Sequence, residues 1–204
     1  MSEMECDRRV TVEKTLAVRI AAAEAALRRG ATAEARQMLA HCHDTRARIL
    51  VGISYLREGQ HQQATEVLAT TVADSPDNGL AHAYYSLALV ISGHVGTAQA
   101  ALDRAVALEP ASFAVRLIAA QFAYRLGFYP EAVRRLNAAL ALGAPDPESY
   151  VLASALLREA RERARGNFER RIGVIRLTRL VEWSRRVVDG TRRFFVGAVR
   201  LEAH

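Results

Sequence analysis

Residues 59–78 read "GQHQQATEVLATTVADSPDN". The stretch opens on Gly59, sets small residues at Ala64 and Thr71 with Leu68 between them, and closes near Pro76. The same residue types return 34 residues later in "GHVGTAQAALDRAVALEPAS" (Gly93–Ser112), and 34 later again in "GFYPEAVRRLNAALALGAPD" (Gly127–Asp146). Each of these is the back half of a longer unit. Counting back from the glycines, the units begin at Thr45, Gly79 and Phe113, and each has a small residue at its eighth place: Gly52, Ser86 and Ala120.

Two helices approach closely only where side chains are small, so Gly52, Ser86 and Ala120, with Ala64, Ala98 and Ala132 and with Thr71, Ala105 and Ala139, mark a tight helix crossing. Leu68, Leu102 and Leu136 give the second helix a bulkier key. Gly59, Gly93 and Gly127 stand where a helix must end and the chain reverse, because glycine adopts the left-handed cap conformation cheaply. Pro76 and Pro110 stop the second helix, and in the third unit Pro145 comes one place late.

Composition agrees. Half of the 204 residues are apolar, proline is scarce, and alanine, leucine and arginine favour helix almost throughout. No charged residue lies between Asp77 and Asp103, but the repeat's own turn falls inside that interval, which reads as two buried helices rather than a membrane span. Cys6 and Cys42 are too few for a secreted disulfide framework, and the charged start "MSEMECDRRV" lacks the apolar run of an export signal, so a cytoplasmic location is expected.

A period of 34 built as helix, turn, helix resembles the tetratricopeptide repeat family. Besides the small eighth residue, the alanine at the twentieth place and the proline near the thirty-second, the likeness includes Tyr55, three places beyond Gly52. It departs at the fourth place, where the family often has tryptophan and Arg48, His82 and Arg116 stand here. The resemblance implies an all-α solenoid, a right-handed superhelix of helix-turn-helix pairs. Its expected organisation is an unstructured start over residues 1–9, a degenerate N-terminal helical pair over 10–44, units at 45–78, 79–112 and 113–146, a capping helix at 147–166, and basic C-terminal helices at 167–204. Upstream, Gly30, Ala35, Leu39 and Cys42 repeat the spacing of Gly59, Ala64, Leu68 and Thr71.

In this family the first helix of each unit lines the concave groove. The resemblance therefore places Ile49, Ile53 and Leu56, then Leu80, Leu87 and Val90, then Leu117, Gln121 and Tyr124 on that surface. Members that clamp a C-terminal carboxylate carry lysine and asparagine where Ile49 and Ile53 stand, so this lining suits an apolar peptide or amphipathic helix of another protein instead. A narrower likeness is to the repeat-containing chaperones of bacterial secretion systems, which pair a short N-terminal helical region with three such units. A second expectation is self-assembly, in which the groove of one copy takes a helix of another.

The net charge of +6 is uneven: residues 158–204 hold 13 arginines against 6 acids, while residues 1–157 hold 15 basic and 16 acidic residues. In the tail, Val174, Leu177, Leu180, Val181, Val187 and Val188 fall on one helical face, with Arg176, Arg179, Arg185 and Arg186 on most of the rest and Arg192 and Arg193 beyond Gly190. Basic, amphipathic and bearing Trp183, Phe194 and Phe195, this segment is read as helices packing on the solenoid end or as a module for a membrane surface. It contains no recognised nucleic-acid-reading motif.

Catalytic patterns are absent. No phosphate-cradling glycine loop, HExxH pair, GxSxG elbow or zinc-type cysteine spacing occurs. "HCHD" (His41–Asp44) invites a metal, but two histidines two places apart on a helix point about 200° apart and do not converge on one ion. A non-enzyme without metal or other cofactor is expected.

Overall fold

The computed structural model describes residues 3–166, all helices and connections. Helix α1 spans Glu3–Arg28, α2 Thr32–Met38, α3 Thr45–Arg57, α4 His61–Asp74, α5 Gly79–Ile91, α6 Val95–Leu108, α7 Phe113–Arg125 and α8 Tyr129–Ala141. Helix α9 follows over residues 147–166. Consecutive helices pair, and α1, α3, α5 and α7 also stack side by side in succession. The interval without charges covers α5, its turn and the first half of α6, and no helix among the described residues is long and apolar enough to cross a membrane.

The beat of the sequence is the beat of the core. Leu68, Leu102 and Leu136 are fully buried, each among the small residues that flank it in its own helix. Gly52 shows why its place is small: a Cβ added there would lie 2.6 Å from Cγ of Leu68, so the leucine keys into the room that the missing side chain leaves. Apolar clusters succeed one another along the array, α1–α3 around Ile20, Leu27 and Leu39, then α4 and α5 around Leu68, then α5–α7 around Leu102 and Phe122, then α7–α9 around Leu136 and Leu157.

The turns inside the pairs share one hydrogen-bond pattern. Gly30, Gly59, Gly93 and Gly127 have φ of 75 to 86°, and the next residue's N–H reaches back five places, Gln60 to Tyr55 and His94 to Leu89 each at 2.9 Å. The starts of the first helices share another. Asp44, Asn78, Ser112 and Asp146, spaced by 34, each accept from a backbone N–H in the first turn of α3, α5, α7 and α9.

The residues at the fourth place, where tryptophan is missing, have a polar use. Arg116 Nε donates to the carbonyl of Pro110 at 2.8 Å, and His82 Nε2 lies 2.9 Å from the carbonyl of Pro76, so each ties its helix to the proline linker six residues back. Arg48 pairs with Asp74 of α4 instead. Tyr55 lies under the guanidinium of Arg36, 4.7 Å from ring centre to Cζ, which binds α2 to α3.

At the N-terminal end the structure differs from the sequence reading. Helix α1 is already formed at Glu3, within the stretch expected to be an unstructured start, and residues 3–28 contain neither glycine nor proline to interrupt it. Helix α2 stops at Met38, so Leu39 is its cap and Cys42 lies beyond it, half-buried against the first cluster. His41 takes a φ of 62°, and Arg19 holds the shortened end by donating to the carbonyls of Met38 and Ala40.

Candidate interaction groove

The stacked first helices leave a concave surface with two adjoining stations. The larger, about 870 Å³, is lined by the apolar and aromatic residues Leu27, Leu50, Ile53, Tyr84 and Leu152 and by the charged residues Glu24, Arg28, Arg57, Asp146 and Glu148. It is bounded by α1 and α3 on one side and by the start of α9 on the other. The smaller, about 590 Å³, lies between α7 and α9 and carries Gln121, Tyr124, Arg125, Arg158 and Glu162; Leu152 belongs to both.

Much of this charge is already held in place. Arg46 donates to Glu24 at 2.6 Å, and Arg57 donates to the carbonyl of Leu27, joining α3 to α1. Hydrogen bonds from the Ser149 amide and hydroxyl hold the Asp146 carboxyl below its ordinary pKa, with Arg28 across the station adding to the effect. Burial pushes the Tyr84 hydroxyl up against the opposing field of Arg57. In the smaller station burial raises Tyr124, as does its hydrogen bond to Glu159, while Arg163 lies 5.5 Å above the Tyr124 ring and 5.9 Å above that of Tyr129.

Of the residues that the resemblance placed on this surface, Ile53, Gln121 and Tyr124 line it. Ile49, Leu87, Val90 and Leu117 are buried, and Leu56 and Leu80 are half-buried against the α5–α7 cluster. The reason is rotational. Each residue advances a helix by about 100°, so the fifth places, and the twelfth in the first two units, turn toward the next unit, while the groove takes residues from the sixth and thirteenth; the ninth lies between these faces, lining the groove at Ile53 and Gln121 and buried at Leu87. Leu50, Tyr84, Arg57 and Arg125 occupy the sixth and thirteenth places, with Leu27 and Arg28 contributed by α1. The lining consequently mixes apolar side chains with charges of both signs, less uniformly apolar than the sequence reading made it.

The arginines of the basic tail, Arg176, Arg179, Arg185, Arg186, Arg192 and Arg193, lie outside the described residues. Among the described residues, no group of three or more histidine, cysteine, aspartate and glutamate side chains is placed to hold a metal ion.

No protein-family model matches the sequence, and no curated protein matches it. Solved structures do. The chain is similar to TTC0263, a thermophilic TPR protein of Thermus thermophilus, at 20% identity and a TM-score of 0.54 over 66% of this chain and 77% of that one. It is similar also to PilF of Pseudomonas aeruginosa, at 19% identity and a TM-score of 0.53 over 77% of this chain and 75% of that one. With the 34-residue helix pairs, their left-handed glycine turns and their keyed crossings, these likenesses show that the chain has the tetratricopeptide-repeat fold, an all-α solenoid.

Proposed function

We propose that the protein is a non-catalytic adaptor or scaffold that holds a peptide or amphipathic helix of another protein in the concave groove. The observation that carries this is the larger station, walled by three successive first helices and the start of α9 and lined by five large apolar or aromatic residues together with charges of both signs. Such a surface binds by burying apolar side chains, at roughly 25 cal/mol per Å² removed from water, and uses its charges for orientation. A partner fitted to it would bring apolar residues to Ile53 and Tyr84 and polar or charged ones to the smaller station. Shielding an apolar helix in this way is also what a chaperone-like role would require.

The test is affinity capture with cross-linking, mapping contacts on both chains. Contacts should fall on α3, α5 and α9, and Ile53→Glu should weaken the captured complex at least about ten-fold, equivalent to about 1.4 kcal/mol. Val18→Glu, on an exposed position away from both stations, should leave it unchanged. Cross-links confined to the convex side, or capture indifferent to Ile53→Glu, would refute the groove as the binding surface.

A further inference from the structure

By its position in the period, α9 is the first helix of a fourth unit: its cap, Asp146, stands 34 residues after Ser112, as Ser112 does after Asn78. In the internal first helices the fifth place is covered by the neighbouring unit, and Ile49, Ala83 and Leu117 are 3%, 0% and 8% exposed. Leu117, for example, shares a cluster with Ala153 and Leu157 of α9. The fifth place of α9 is Val151, which is 65% exposed, and its neighbours Tyr150 and Leu152 are 57% and 54% exposed. A terminal unit ordinarily turns a polar face outward. Here the first turn of the last described helix keeps an apolar residue, Val151, at a place where an internal one is covered, while its later turns carry Arg158 and Glu162.

We propose that the segment following α9 turns back after Gly166 and covers this face, laying the apolar stripe of Val174, Leu177, Leu180, Val181, Val187 and Val188 antiparallel along α9. The segment begins where α9 ends, and it is long enough. Twenty residues of α9 rise about 30 Å at 1.5 Å each, and 38 residues follow it. Counting equal rises from the reversal brings residues 181–188 level with Tyr150 and Val151. The occupant also matches in chemistry, with an apolar stripe for an apolar first turn. Arg176, Arg179, Arg185 and Arg186, on the opposite face, are then left outward as a basic surface. This inference does not depend on the groove reading, since Val151 lines neither station.

By the same helical spacing Trp183, the chain's single tryptophan, falls among the arginines, so the contact is read from a tryptophan placed on the stripe, Val181→Trp in a Trp183→Phe background. In that full-length protein the indole should be shielded from acrylamide at all protein concentrations. Adding Val151→Glu, and separately Leu177→Glu, should raise its quenching several-fold with helicity unchanged, while adding Ile53→Glu in the groove should not affect it. The proposal is overturned if the indole is as accessible without Val151→Glu and Leu177→Glu as with them, or if its shielding disappears on dilution, which would assign the face to a second copy. It is equally overturned if shielding appears only with anionic vesicles, or if Ile53→Glu alone exposes the indole, which would put the segment in the groove.

Discussion

Gly52 and Gly59 are both glycine in the same unit, for opposite reasons. Gly52 sits in α3 with Leu68 against the space a Cβ would fill, whereas Gly59 has open space around it and a φ of 75°. Gly52→Ala should therefore lower stability by about 1–3 kcal/mol through overpacking, outweighing the better helix propensity of alanine. Gly59→Ala should lower it by about 1–2 kcal/mol through the left-handed backbone alone. A double-mutant cycle in chemical denaturation separates the two, since adding Leu68→Ala should abolish the cost of Gly52→Ala and leave that of Gly59→Ala intact. The sequence made Gly59 legible, because Gly93 and Gly127 repeat it. It made Gly52 legible only as a small residue, because Ser86 and Ala120 share its place and only the structure shows which side chain uses the room.

At the scale of the helix, the repeated caps and one acid-base cluster invite measurement. Asn78 accepts from the Ala81 amide at 2.8 Å, and Asn78→Ala should lower the thermal midpoint, at a cost of about 1 kcal/mol. On α8, Glu131 receives Arg134 and Arg135, whose guanidinium groups bring its pKa from 4.5 down to about 2. Its ionised form is thus favoured in the fold. The stability it contributes is complete above pH 4.5 and is lost as pH falls toward 2, so the advantage of wild type over Glu131→Gln should shrink across that window in a series of urea melts. The caps stand in the sequence at a constant interval, as Asp44, Asn78, Ser112 and Asp146, but the period is read from its glycines and small residues, and the structure is what shows them capping. The groove was not readable to the residue, because a helix turned by one position exchanges Leu50 for Ile49 and Arg57 for Leu56, all of which are compatible with a helical pattern.

For the whole molecule, the core is a succession of local clusters with no single centre, so stability should be graded along the array. Amide exchange should be slowest in α5–α7, which share the cluster of Leu102 and Phe122 and are flanked by units on both sides, and fastest toward the start of α1. Uniform protection from α1 to α9 would indicate a cooperative block instead. The architecture was legible from the period, since a spacing repeated over three units leaves little room for another fold. What a local period does not convey is how far the array curls, and hence that α1 and α9, more than a hundred residues apart, wall the same station.

Because Asp44, Asn78, Ser112 and Asp146 do the same job at the same interval, any one module, such as residues 79–112, could be excised and the cut ends rejoined with an equivalent junction. The joints tolerate such editing; the arc does not. Removing a module would pull Arg28 away from its facing position opposite Asp146 and alter the larger station without disturbing a single remaining cap. The number of modules is what sets the width of the mouth, and a lineage that gained or lost one would reshape the groove while keeping every local rule of its construction.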